Sequence, residues 1–334
     1  MSNILNCAVS VTVLDEEGAA QMTRSPGSDT DPESFRRFES EVRDGVVLSY
    51  VRAGEGGVPL VLLHGWPESN RIWWRNIQPL ADAGFDVIVP DLRGFGESPI
   101  PADGFYDVAS HARDVKGLIE AVGHESAVLA GGDYGGMITQ DLGHRFPGLV
   151  RRQVLFNVLA PALPELYNAH GVGGDPLAEV NAVSEHVLRH GHDADGVAEE
   201  LPSPAARRAY IEGCYTYRHW GKPGSFTPEQ VAFFSEPYSD ADRFRASLGL
   251  YESFMDPAKI TDVPLLAQAH DVRTLILYGI EDRVVGPVFT RRMQLACNDR
   301  VGPFLVEDAG HFLQYERADV FNGAVECFCL DLLS

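Results

Sequence analysis

Three residues whose types could do acid–base chemistry each stand just past a run that reads as a strand: Asp133, Asp282 and His311. Asp133 lies in Leu129-Ala130-Gly131-Gly132-Asp133-Tyr134-Gly135-Gly136, between a strand-like run and a helix-like one. Glycines two positions before and two after it leave room for a strained turn that thrusts one side chain off the edge of a sheet. The helix that follows favours negative charge at its N-terminus. Read alone, the same segment could be a glycine-rich turn with a helix-capping Asp.

A carboxylate is already charged at neutral pH and needs no base to attack. It is a weak nucleophile, suited to a strained or activated saturated carbon such as an oxirane or a carbon bearing a halide. The product would be an ester on Asp133, whose hydrolysis requires a general base. His311 in Gly310-His311-Phe312 suits that role, with Asp282 in Leu277-Tyr278-Gly279-Ile280-Glu281-Asp282 to orient it. The turn His64-Gly65-Trp66-Pro67, after an earlier apolar run, can aim the Trp66 N–H at the same edge. With the Tyr134 N–H it would form an oxyanion hole, where one donor typically contributes ~3 kcal/mol. Taken singly, the turn, the acid and the histidine each have a plainer explanation as a Gly-Pro turn, a helix cap or a core histidine.

These groups need a scaffold that gathers strand ends. A hairpin is expected at residues 38–50, turning at Asp44-Gly45, followed by a buried strand over 59–64. Further strands are expected at 86–92, 126–130, 153–158, 273–278 and 303–306, with helices at 77–83, 107–122, 135–145 and 318–333. Alternating strands and helices predict an α/β fold with a mostly parallel central sheet coated on both sides. Between residues 160 and 264 the strand texture stops and prolines divide helix-like pieces, so an inserted helical subdomain is expected there. The expected organisation is a flexible leader over 1–35, a core over 36–159 and 265–334, and a helical cap over 160–264.

Composition narrows the partners. The 334 residues carry 27 basic and 48 acidic side chains, a net charge of −21, which disfavours nucleic acid. No run of about 18 apolar residues suggests a membrane span, and the mildly apolar start has no basic residue before it. The five cysteines are scattered, in keeping with reduced thiols in the cytoplasm. No metal cluster, phosphate loop or dinucleotide fingerprint is seen, so no cofactor or metal is expected.

The sequence resembles the α/β-hydrolase fold family, and within it the epoxide hydrolases, over residues 38–332. The resemblance rests on His64-Gly65-Trp66-Pro67, the turn Asp91-Leu92-Arg93-Gly94-Phe95-Gly96-Glu97-Ser98, the Asp133 segment and Gly310-His311. Esterases and lipases of this fold carry Ser where this chain has Asp133. The order Asp133, Asp282, His311 matches nucleophile, acid and base as the fold arranges them. The resemblance also implies ring-opening donors in the cap. Segment 244–254 is similar to the part of that family that carries the second tyrosine, which assigns Tyr251. No tyrosine among Tyr210, Tyr215, Tyr217 and Tyr238 matches the first donor. Some relatives use a histidine early in the cap, where His186 stands beside His190 and His192.

The implied activity is epoxide hydrolysis on a small hydrophobic epoxide with water, a homodimer being left open. The alternative is a haloalkane or haloacid dehalogenase with the same nucleophile. Such enzymes usually have Trp or Arg after the nucleophile, where this chain has Tyr134, although Trp66, Trp73, Trp74 and Trp220 offer indole donors. A non-catalytic ligand-binding member ranks behind both, because all three triad positions are filled. Asn157 occupies a place where some relatives put the acid. Glu68 is read either as a cap or as a pocket-rim residue, and Arg151-Arg152 as solvated surface.

Overall fold

The computed structural model of the chain describes residues 29–174, 185–218 and 220–334. Its centre is an eight-stranded sheet in the order β1-β2-β4-β3-β5-β6-β7-β8. The strands are β1 (Arg37–Arg43), β2 (Val46–Ala53), β3 (Val58–Leu63), β4 (Phe85–Pro90), β5 (Ala127–Gly132), β6 (Val150–Phe156), β7 (Thr274–Gly279) and β8 (Arg300–Val306). β1 and β2 form the expected antiparallel hairpin, β2 also runs antiparallel to β4, and every other pairing is parallel.

The continuously apolar strands go to the middle, where both faces are covered. Leu60, Val61, Leu62 and Leu63 of β3 and Ala127 to Ala130 of β5 have no exposure. Removing one such Leu or Val side chain from water is worth roughly 1.5–3 kcal/mol. The parallel register sets the site: Leu63 lies opposite Gly131, Gly132 opposite Phe156, and Gly279 opposite Val306. The segments leaving β3, β5, β6, β7 and β8 therefore emerge along one edge, the carboxyl edge where open α/β sheets place ligands.

Beneath that edge the Asp91–Ser98 turn is locked by polar groups. The Asp91 carboxylate accepts the N–H of Asn70 at 2.8 Å and of Glu97 at 2.9 Å. Gly96 has φ +47°, and a Cβ there would stand 2.0 Å from Asp91 Oδ1, so only glycine fits. Arg93, fully buried, pairs with Asp114 of the helix Val108–Ala121.

Among the described residues no strand lies between β6 and β7; helices form there at Pro164–Ala169, Glu185–His192, Ala194–Glu200, Pro204–Tyr215, Pro228–Ser235, Ala241–Ser247 and Gly249–Met255. Three of the prolines that divide this stretch, Pro164, Pro204 and Pro228, also start helices, since a first-turn proline has no N–H to leave unpaired. Ser203 caps the helix begun by Pro204, and Thr227 with Gln230 forms a reciprocal capping box around Pro228.

Three expectations need correction. Residues 29–35 do not hang loose: Phe35 packs edge-on against Trp74, and the Trp74 indole donates to the Asp31 carbonyl at 2.9 Å. Asp29 accepts from Arg75, Tyr315 and Gln230, so paired charge and aromatic packing fasten this segment; residues 1–28 lie outside the described ones. The last helix is broken at Cys329, into Ala318–Phe328 and Leu330–Leu333. Arg152 is not solvated, because it reaches under the end of that helix to the Phe328 carbonyl and Asp331. No helix among the described residues is long and apolar enough to cross a membrane.

Candidate active site

β5 ends at Gly132, and the chain turns at once into the helix Asp133–Arg145. Asp133 holds φ +45°, the left-handed region that a non-glycine residue adopts only under constraint. The constraint is close packing: a Cβ on Gly135 would lie 2.3 Å from the Leu63 carbonyl oxygen. The helix start can therefore press against β3 only with glycine there.

The turn after β3 meets the same carboxylate. The Trp66 N–H donates to Asp133 Oδ1 at 2.9 Å, and the Tyr134 N–H supports the carboxylate as well. Two backbone donors converge on one side chain, as an oxyanion site requires. Tyr134 directs its hydroxyl away, to the Tyr106 carbonyl at 2.7 Å. His64 has a structural part: its Nδ1 bonds the Gly65 carbonyl and its Nε2 accepts the Leu92 N–H at 3.0 Å. Burial pushes that imidazole down to about 4, so it stays neutral and ties the two turns together.

His311 stands between two acids. Its Nδ1 lies 3.1 Å from Asp282 Oδ2, and its Nε2 lies 3.5 Å from Asp133 Oδ2. Asp282 is aimed by the N–H groups of Val284 at 2.7 Å and Val285 at 3.1 Å, both received on Oδ1. Burial works against charge on His311, but Asp282 and then Asp133 outweigh it and carry its pKa well above the usual imidazole value. For Asp133, burial is outweighed by His311 and by the two backbone donors, so the carboxyl ionises below its ordinary range. The resting site is an ion pair. Exposure separates the two acids: the Asp133 side chain is 27% open, whereas that of Asp282 is 0%. Only Asp133 can meet a substrate.

It opens into a cavity of about 290 Å³ lined from below by Asp133, Tyr134, Met137 and Val284, and from the inserted helices by His186, Leu250, Tyr251 and Phe254. Tyr251, in the helix Gly249–Met255, sits edge-on to Trp66 with ring centres 5.4 Å apart. Burial, and then Asp133, hold its hydroxyl well above pKa 10, so it keeps a proton to donate. His186, whose neighbours His190 and His192 favour a surface position from sequence, is buried: it stacks on Trp66 and lies 4.6 Å from the Trp220 ring. The other tyrosines are engaged elsewhere or exposed. Tyr215 donates to the Pro67 carbonyl and Tyr238 to the Glu68 carbonyl, Tyr210 bonds His190, and Tyr217 faces solvent.

Several residues of the site have structural parts that sequence left open or overlooked. Asn157 does not meet the His311 imidazole as an acid would; its side chain bonds the backbone on either side. Glu68 is buried, accepting the Gly65 N–H at 2.6 Å and the Gln314 amide at 2.7 Å, and burial pushes it up to about 7. The Trp220 carbonyl accepts the His311 N–H, a contact that no spacing announces. His190, one helical turn from His186, shares its inward face; the four-residue spacing is the signal that could have found it.

Known proteins resemble this chain. The alpha/beta hydrolase fold family matches residues 58–176. The soluble epoxide hydrolase of Corynebacterium sp. (strain C12) is 30% identical over 293 residues, covering 85% of this chain and 94% of that one. A haloalkane dehalogenase of Bradyrhizobium diazoefficiens is 28% identical, over 86% of this chain and 94% of its own. The solved structure of the epoxide hydrolase CorEH superposes with a TM-score of 0.75 at 24% identity, covering 89% of this chain and all of that one.

Proposed function

This chain belongs to the α/β-hydrolase fold family, as a hydrolase of the epoxide hydrolase type, and from that premise we propose that it opens oxiranes to vicinal diols through an ester on Asp133. The observation that carries this is the partly open Asp133 carboxylate, ionised and sharing a mostly apolar cavity with the protonated Tyr251 hydroxyl. Residues 160–264 act as the cap that brings Tyr251 and His186 over the nucleophile.

In the first step Asp133 Oδ2 attacks an oxirane carbon and the C–O bond breaks. The departing alkoxide is a poor leaving group until it is hydrogen-bonded, and Tyr251 and His186 supply that bond and a proton. The new ester has lost the negative charge of Asp133, and with it one of the two acids that held His311 protonated. His311 then gives up its proton and, held by Asp282, takes one from water. Hydroxide adds to the ester carbonyl, and the oxyanion falls on the Trp66 and Tyr134 N–H groups. Collapse expels the diol oxygen, which takes the proton from His311; the proton of the acid left at Asp133 and the one His311 gave up earlier return to His311 and Tyr251, restoring the ion pair and the donor.

The dehalogenase reading has the Bradyrhizobium relative in its favour, but three of the four candidate indoles argue against it. Trp66 Nε1 donates to Ser247 at 3.2 Å, Trp74 Nε1 to the Asp31 carbonyl, and Trp73 packs in the core on Phe321. The pocket is expected to hold a small neutral substrate, with no cofactor.

The test is intact-mass spectrometry of His311→Gln mixed with styrene oxide. An adduct of one substrate mass on Asp133, absent in Asp133→Ala, supports the reading. No adduct, or halide release from chloroalkanes at a comparable rate in the wild type, would overturn it.

A further inference from the structure

The aromatic box over Asp133 contains one titratable group that the proposed chemistry does not use. His190 has no exposure. Its Nε2 lies 2.8 Å from the Tyr210 hydroxyl, while its Nδ1 has no hydrogen-bond partner among the described residues. Its ring stands edge-on to both Trp66 and Tyr251, each at 4.9 Å between centres, and 5.6 Å from His186. It therefore touches the residue whose N–H holds the nucleophile and both residues that face the oxirane oxygen.

The backbone sets these contacts. A Cβ on Gly191 would lie 2.9 Å from the Tyr251 carbonyl oxygen and 2.5 Å from Met255 Cγ, so the helix Glu185–His192 lies directly on the helix that carries Tyr251. Tyr210, from the helix Pro204–Tyr215, closes the far side, and the Arg218 guanidinium covers its ring at 4.5 Å. A single methylene tether, the edge-on rings of Trp66 and Tyr251 and the Tyr210 hydroxyl hold the imidazole in one seat. In that seat it is an edge against which the Tyr251 ring cannot turn. Side chains that must meet a reacting atom within a fraction of an ångström need such support, since misplacement by about 1 Å can cost on the order of a hundredfold in rate.

We propose that His190, clamped by Tyr210, is a positioning residue that holds Tyr251 and His186 in line for ring opening and takes no part in the hydrolysis of the ester. The proposal rests on the reading of Tyr251 as a ring-opening donor. Burial, with His186 and Arg218 nearby, holds the imidazole well below its ordinary pKa, so it sits there as a neutral ring.

Single-turnover kinetics with styrene oxide separate the two steps. In His190→Phe, ester formation is expected to slow by about tenfold or more, with ester hydrolysis within about twofold of wild type because Asp282 and His311 are untouched. Tyr210→Phe, which removes only the hydroxyl clamp, shifts the same step by less. His190→Gln keeps a polar group where Nε2 stands and recovers much of the rate. Should His190→Phe fail to fold, as judged by circular dichroism, Tyr210→Phe decides alone.

Equal slowing of both steps, or no change in either, overturns the proposal when Tyr251→Phe slows ester formation. If Tyr251→Phe itself leaves ester formation unchanged, it is the donor reading that falls, and this proposal with it.

Discussion

Asn157 and His311 are joined through the backbone: Asn157 Nδ2 donates to the Gly310 carbonyl at 2.8 Å and to the His311 carbonyl at 3.0 Å. Its Oδ1 accepts the Gly279 N–H at 3.0 Å, and its own carbonyl accepts the Asp133 N–H. One residue thus ties the end of β7, the histidine loop and the Asp133 turn together, the first two through its side chain and the third through its backbone. Asn157→Ala would leave buried groups unpaired at ~1–3 kcal/mol each, so urea unfolding should show a loss of about 2–4 kcal/mol. Asn157→Asp should do no better, since it sets a carboxylate against two carbonyl oxygens. A stable Asn157→Asp that restores turnover to an Asp282→Asn background would instead make position 157 an acid site.

The Asp282 carboxylate bonds His311 and the N–H groups of its own turn, so its removal should divide the two steps. Asp282→Asn is expected to slow ester hydrolysis by about a hundredfold or more, the usual range for lost general-base support, while ester formation stays within a few-fold. Rapid-quench mass spectrometry would show the adduct on Asp133 building up. Equal slowing of both steps would transfer the role to another acid.

The pH dependence follows from the ion pair. Asp282 and Asp133 together raise His311, and ester formation removes the Asp133 charge, so the pKa of His311 must be lower in the ester than in the free enzyme. The rate of ester hydrolysis should therefore rise with pH as His311 loses its proton. Nuclear magnetic resonance titration of the free enzyme should place that histidine above 6.5. A hydrolysis rate that falls as pH rises would contradict this assignment.

Stability should respond with the opposite sign at the acid side. Burial pushes His64 and His111 down to about 4, and burial with His144 stacked at 4.3 Å pushes His270 to about 3. Below pH 6.5 the unfolded chain takes up protons that these folded histidines refuse, so stability is lost as pH falls from about 6.5 to 4. Each unit of depression corresponds to ~1.4 kcal/mol. His311 works the other way, contributing stability below 6.5 that is lost as pH rises through its raised pKa. Melting temperature against pH should fall steeply on the acid side, and His270→Gln should flatten that slope; an unchanged slope would mean that His270 is not what titrates.

The strands, and the three residues Asp133, Asp282 and His311 that meet at their ends, were legible because each announces itself locally. Leu60–Leu63 and Ala127–Ala130 are unbroken apolar runs, and Asp133, Asp282 and His311 each follow such a run within a few residues. Contacts that join distant segments were not legible. Nothing near Asn157 indicates that its amide meets Gly310, and Asp29 looks like any polar leader residue until Arg75 and Tyr315 close on it. The cap was read from its prolines and aromatics, but which of its side chains turn inward depends on how its helices pack. That is why His186 looked like a surface histidine and His190 was noted only as its neighbour.

The attack by Asp133 is tested most directly by one turnover in ¹⁸O-water with enzyme in excess over styrene oxide. If the carboxylate attacks carbon, the diol takes its new oxygen from the protein and leaves unlabelled, and ¹⁸O appears in the Asp133 peptide. A diol labelled on the first turnover, with Asp133 unlabelled, would mean that water attacks the oxirane directly and no ester forms.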